Sequence, residues 1–157
     1  MGRVHGQESG EIMIVVATDA EFLEARKRWR DEAIVCTGVG GLNVVRKLQW
    51  FNRNAPIINF GYVGSNTLPI GTEVEVGSCH LYHPNVDYDE PIYSLGGTVP
   101  CFTSNDFVLS TNIAEPVVFD MELAYILAMG FESVRSIKIV SDNLNLNQYN
   151  EKAEVER

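Results

Sequence analysis

Short apolar runs alternate with amphipathic stretches along most of the chain. IMIVVAT (12–18) is a continuous apolar run, the pattern of a strand buried on both faces. DAEFLEARKRWRD (19–31) has helical character, with Phe22, Leu23 and Trp29 facing a core. AIVCTGVGG (33–41) predicts a strand ending in a glycine turn, and LNVVRKLQWFNR (42–53) an amphipathic helix. PIINFGYVGS (56–65) repeats the buried strand running into glycine-containing sequence. TEVEVGSCHLY (72–82) alternates apolar and polar residues, which suits a more exposed strand. HPNVDYDEPIYSLGGTVP (83–100) is turn-rich with little periodicity. VVFDMELAYILAMGF (117–131) predicts a helix that is apolar nearly all round, hence buried, and ended by Gly130. SIKIVSDN (136–143) is a last strand entering a polar loop.

Strands alternating with helices predict an α/β fold. The expectation is a single three-layer domain, with a mostly parallel central sheet flanked by helices. Residues 1–11 read as a polar leader and residues 12–157 as the domain, with no internal repeat or linker. In such sheets ligands sit beyond the carboxyl ends of the strands. That rule collects Asp19 and Glu21, Gly38 to Gly41, Gly61 to Ser65, and Ser141 with Asp142 at one edge. Glu122 joins them if its helix begins there.

Composition narrows the partners. Twelve basic residues against 21 acidic ones give a formal net charge of −9. A nucleic acid is not an expected partner, because its backbone requires a basic face. A neutral or zwitterionic small molecule remains open. Cys36, Cys79 and Cys101 form no CxxC spacing and read as reduced, half-buried thiols. The start carries no apolar signal core and no run approaches a membrane span, so a cytoplasmic protein without a membrane partner is expected.

Within the apolar run, Glu122 poses a chemical question. On a helix its neighbours would be Val118, Phe119, Tyr125 and Ile126, so the carboxylate needs a partner, a shifted pKa or a ligand. The other motifs are individually weak. TGVGGLNVV (37–45) lacks both the GxGxxG order and a Walker lysine, and its glycines suit a tight turn as well as a ligand. Glu21 suits a helix start, where the dipole favours a carboxylate, and Ser141-Asp142 suits a cap or turn. His80 and His83 lack a third ligand, so no metal site is expected. No GxSxG elbow or cysteine nucleophile motif is present.

The order of the blocks is more specific. VVATDAEFLEA, TGVGGLNVV, IINFGYVGS, GSCHLYHPNVD, FTSNDFV, FDMELA and IVSDN resemble, in family order, the purine nucleoside phosphorylase and nucleosidase superfamily. The branch they most resemble is 5′-methylthioadenosine/S-adenosylhomocysteine nucleosidase, in shortened form. The resemblance implies that Met121 and Glu122 hold the ribose, with Glu122 on its hydroxyls. It gives Glu21 the attacking water and Asp142, beside Ser141, the proton for N7 of the leaving purine. Phe107 stacks on the base and the main chain around Val108 lies along its edge. Gly61 and Tyr62 border the substrate, and no cofactor is implied. The residue types suit the reaction, since cleaving an N-glycosidic bond passes through an oxocarbenium-like sugar and needs an acid of raised pKa.

Three departures qualify the resemblance. Tyr62 stands where the family commonly has a serine touching phosphate or sugar, and no arginine occupies the early glycine-rich position used by phosphorylases. Hydrolysis is therefore expected over phosphorolysis, while Lys138 replaces a commonly seen arginine. The segment between YHPNVD and SNDFV is short, which implies a more open pocket. The chain ends soon after Asp142, so the expected C-terminal helix is reduced or absent and self-association, with a dimer favoured, would cover the sheet. A phosphorylase, or a nucleoside-binding module with little or no turnover, stays open as an alternative.

Overall fold

A computed structural model of the chain describes residues 11–83 and 93–155. Residues 1–10 of the polar leader, residues 84–92 of the turn-rich stretch and the final two residues lie outside the described residues. Along the chain the elements are β1 (Met13–Val16), α1 (Asp19–Arg28), β2 (Ala33–Cys36), α2 (Gly41–Leu48), β3 (Ile57–Ser65), β4 (Glu73–Leu81), β5 (Tyr93–Ser94), β6 (Val99–Thr103), β7 (Val118–Asp120), α3 (Leu123–Ala128), β8 (Val134–Asp142) and α4 (Leu146–Val155).

The fold is α/β, but its sheet is mixed and closes into a barrel, which corrects the expected mostly parallel sheet. β1 pairs in parallel with both β2 and β3. β3 runs parallel to β8, and a bulge after Val63 sets Gly64 opposite Asp142. From β3 the ring continues through antiparallel β7 and then through β6, which is parallel to both β7 and β4. It closes where β4 meets β8 antiparallel. β3 sits at the junction, and all nine of its residues are buried. That burial explains its continuous apolar sequence.

Three apolar clusters hold the layers together. Val63, Val76, Val118, Leu123 and Val140 form one with the buried thiols of Cys79 and Cys101. Met13 and Ile57 pack against Val44 and Leu48 of α2 and Ile126 of α3. Ile14, Val16, Ile58 and Phe60 meet Ala25 of α1, with Phe22 and Trp29 beside them. Leu23, expected inward, is instead 43% exposed. Each fully buried aliphatic side chain contributes about 1.5–3 kcal/mol.

The long buried helix expected over 117–131 is a second correction. Val118, Phe119 and Asp120 form β7, hydrogen-bonded between β3 and β6, and only Leu123–Ala128 is helical. The β-branched and aromatic start fits a buried strand, and Gly130, at φ +84°, follows the helix end. Glu122 therefore stands at a strand–helix junction rather than on a helix face. At the end of the chain the structure has a short polar helix, so of the two expected outcomes, reduced or absent, the helix is not absent. Asn145 Oδ1 accepts the Gln148 N–H at 3.0 Å and starts the ten-residue α4, so a C-terminal helix is present. The turn-rich stretch also holds β5 and the first residues of β6.

Candidate functional site

Thr18 and Glu21 form a capping box at the start of α1. The Thr18 hydroxyl accepts the Glu21 N–H, and Glu21 Oε1 accepts the Thr18 N–H, both at 3.2 Å. Glu21 does more than cap. Oε1 also accepts the Ala17 N–H at 2.8 Å, and Oε2 accepts the Tyr62 N–H of β3 at 2.9 Å. Gly61 makes room for it, because a Cβ there would lie 2.9 Å from Glu21 Oε2. Burial raises the proton affinity of Glu21 more than the three amides and the Lys138 charge lower it.

Glu122 faces the same space from the opposite wall. It occupies the N-cap position of α3 without capping it. Asp120 does so instead, with Oδ2 accepting the Leu123 N–H at 2.7 Å and the Glu122 N–H at 3.3 Å. The Glu122 carboxylate is thereby released toward α2, where Oε2 accepts the Gly40 N–H at 2.8 Å. Gly40, at φ +93°, has a backbone that side-chain-bearing residues rarely adopt. Burial first, and then the charges of Asp120 and Glu21, push the Glu122 pKa up to about 8.

Asp142 ends β8 beside Gly64, where a Cβ would lie 2.9 Å from its Oδ1. Ser141 Oγ lies 2.8 Å from Asp142 Oδ2 and donates to it, and Oδ1 accepts the N–H groups of Leu144 at 2.9 Å and Asn145 at 3.3 Å. Leu144 carries φ +63° to make that turn. Burial raises the Asp142 pKa against these lowering hydrogen bonds. Among the described residues, none of the three carboxylates forms a salt bridge.

All three line one cavity of about 190 Å³, which also has Tyr62, Phe107 and Met121 in its wall. Ser141 and Gly61 stand one layer back, against Asp142 and Glu21 respectively. Val108 lines a small adjoining cavity of about 30 Å³ that shares Gly64, Phe107 and Met121 with the larger one. Among the described residues no group of three or more His, Cys, Asp or Glu could hold a metal ion, and no helix is long and apolar enough to cross a membrane.

Sequence reasoning missed several residues. Asp120 and Phe119 line the cavity because residues 118–120 are a strand, and the predicted helix hid that. Lys138, noted only as a replacement for arginine, is fully buried and reaches Asp120 Oδ2 at 3.3 Å. Burial alone would lower its pKa, but the facing acidic groups, Asp120 foremost, raise it on balance. Tyr149 enters the cavity from α4 and meets Phe107 edge-on, with ring centroids 5.7 Å apart. The N-cap signal at Asn145 could have found that helix.

No family model matches the chain, and no curated protein matches it by sequence. Solved structures do match. The 5′-methylthioadenosine/S-adenosylhomocysteine nucleosidase of Chlamydia trachomatis superposes with a TM-score of 0.75 at 13% identity, over 94% of this chain and 93% of that one. An aspartate-to-asparagine variant of the same protein bound to 5′-methylthioadenosine gives 0.72 at 13% identity, over 94% and 92%. A Helicobacter pylori nucleosidase, also an aspartate-to-asparagine variant with 5′-methylthioadenosine in its active site, gives 0.72 at 11% identity, over 95% and 94%. The chain therefore has the fold of these nucleosidases.

Proposed function

We propose that the protein hydrolyses the N-glycosidic bond of a purine nucleoside of the 5′-methylthioadenosine or S-adenosylhomocysteine type. One observation carries the reading: Glu21, Glu122 and Asp142 converge from three separate segments on one cavity, each desolvated and each with raised proton affinity. Burying three such groups is costly unless a ligand uses them. The nucleosides bound to proteins of the same fold supply the substrate class.

In this reading Phe107 stacks on the base and Met121 packs against the sugar. Glu122, largely protonated at neutral pH, can donate to one ribose hydroxyl and accept from the other. Asp142 gives its proton to N7 as the bond from C1′ to N9 breaks, so the purine leaves neutral. The developing oxocarbenium charge is stabilised by the Glu21 carboxylate, before it takes the proton of the water, and by Asp142 as it becomes a carboxylate. Water adds to C1′ as Glu21 takes its proton, and the two transfers balance. Tyr62 lines the cavity and bonds Glu21 through its N–H, and its bulk in place of the family's usual serine supports hydrolysis over phosphorolysis.

Asp142→Asn tests the assignment. It keeps the acceptor for the Leu144 and Asn145 amides but cannot protonate the base. Base release should fall by about 10²–10⁴-fold while nucleoside binding persists. Unchanged turnover would refute the role of Asp142.

A further inference from the structure

The main cavity does not end at Phe107. The small cavity beside it is lined by Gly64, Leu144, Asp106 and Val108 as well as Phe107. A third cavity, of about 180 Å³, shares Asp106, Phe107 and Val108 with it and extends outward to Tyr82, Leu109 and Ser110. All three share Phe107, and the outermost is lined by the exposed residues Leu109 and Ser110. A cavity of about 150 Å³ is enough to take up a benzene ring, so the outer one has room for a ring-sized group.

The orientation of the base decides what would enter. On a purine, N7 and the substituent at position 6 share one edge. If N7 faces Asp142, that substituent points past Leu144, whose N–H is bonded to Asp142 and whose side chain lies in the connecting cavity. Beyond it, Val108 and Leu109 offer apolar surface and Tyr82 an aromatic edge. Asp106 lines both the connecting and the outer cavity, where its carboxylate is an acceptor for a secondary amine N–H. Ser104, Asp106 and Ser110 make the wall of the outer cavity mixed rather than purely apolar, and small-molecule subsites combine apolar surface with a few placed polar groups.

We propose that the outer cavity is a subsite for a substituent on the 6-amino group of the base, so that the protein accepts adenine nucleosides bearing a ring-sized apolar group there. The proposal rests on the nucleosidase reading, in particular on N7 facing Asp142.

The test compares 5′-methylthioadenosine with its N6-benzyl derivative, in the parent protein and in Ser110→Trp, which fills the outer cavity from its exposed rim. The parent should cleave the benzyl compound with a kcat/KM no lower than that of the unsubstituted one. Ser110→Trp should lower the ratio of benzyl to unsubstituted kcat/KM by about tenfold or more. Cleavage of the unsubstituted nucleoside with rejection of the benzyl compound would overturn the subsite and leave the nucleosidase reading intact, as would an equal effect of Ser110→Trp on both. If neither is cleaved, the nucleosidase reading fails and calorimetric binding still decides the subsite. Tighter binding of the benzyl compound, abolished by Ser110→Trp, supports it; no added affinity overturns it.

Discussion

The ammonium of Lys138 lies 3.3 Å from Asp120 Oδ2, and neither side chain reaches solvent. Asp120 spends its remaining acceptor capacity on the Thr103 hydroxyl at 2.6 Å and on the amides of Glu122 and Leu123. Thr103 Oγ1 in turn accepts the Ala124 N–H at 3.1 Å. The pair thus fixes the turn from which Met121 and Glu122 face the cavity.

Removing one member of such a pair leaves the other charge buried and uncompensated. Lys138→Met should therefore destabilise the protein by about 3–5 kcal/mol, read by urea unfolding at neutral pH. A loss under about 1 kcal/mol would mean that the pair does not hold this turn.

Two glycines act on the carboxylates by leaving room for them. Alanine at Gly61 would bring a Cβ to 2.9 Å from Glu21 Oε2, and alanine at Gly64 the same distance from Asp142 Oδ1. Neither glycine has a positive φ, so backbone strain is not the issue. Displacing a catalytic oxygen by up to an ångström costs on the order of 10²-fold in rate. Gly61→Ala and Gly64→Ala should each lower kcat/KM for base release by at least about tenfold. Parent-like kinetics in both would place the chemistry elsewhere.

The pH dependence of stability has a definite sign. Glu122 keeps its proton up to about 8 in the folded protein, against an ordinary 4.5. Between these values the folded state binds more protons than the unfolded one, so stability falls as pH rises, by at most about 1.4 kcal/mol per unit. The contribution is fully present below 4.5 and gone above about 8. Glu21 and Asp142 are shifted in the same direction. Urea unfolding of the ligand-free protein from pH 5 to 8 should show this decline, and Glu122→Gln should flatten it. Parallel curves for the two proteins would contradict the desolvated carboxyl.

Tyr149 reaches the cavity from α4 and meets the Phe107 ring edge-on. Tyr149→Ala should raise KM by about fivefold, the equivalent of a lost aromatic pair, with kcat nearly unchanged. A fall in kcat with unaltered KM would assign Tyr149 to the chemical step.

Much of this site was legible because strand ends converge in α/β folds. The apolar runs at 12–18 and 56–65 located β1 and β3 and placed Glu21 and Gly61 to Ser65 at their carboxyl ends, while the roles expected of Glu21 and Tyr62 came from the family resemblance. The mixed barrel was not legible, since the pairing of β7 with β3 and β6 is long-range and leaves no local period. The same long-range pairing turned VFD (118–120) from an expected helix into a strand. It also concealed Asp120, whose role depends on Lys138, 18 residues along the chain. Helix α4 was expected only as reduced or absent for a simpler reason: its face is polar, and only the cap at Asn145 announces it.

Base release by the parent protein is the most direct test. 5′-Methylthioadenosine, S-adenosylhomocysteine, adenosine, inosine and guanosine would each be incubated with and without phosphate and resolved by chromatography. Free purine from the adenine thioethers, at a rate indifferent to phosphate, is the predicted result. Release only with phosphate would make the protein a phosphorylase. Saturable binding without release from any of the five would make it a binding module and contradict hydrolysis outright.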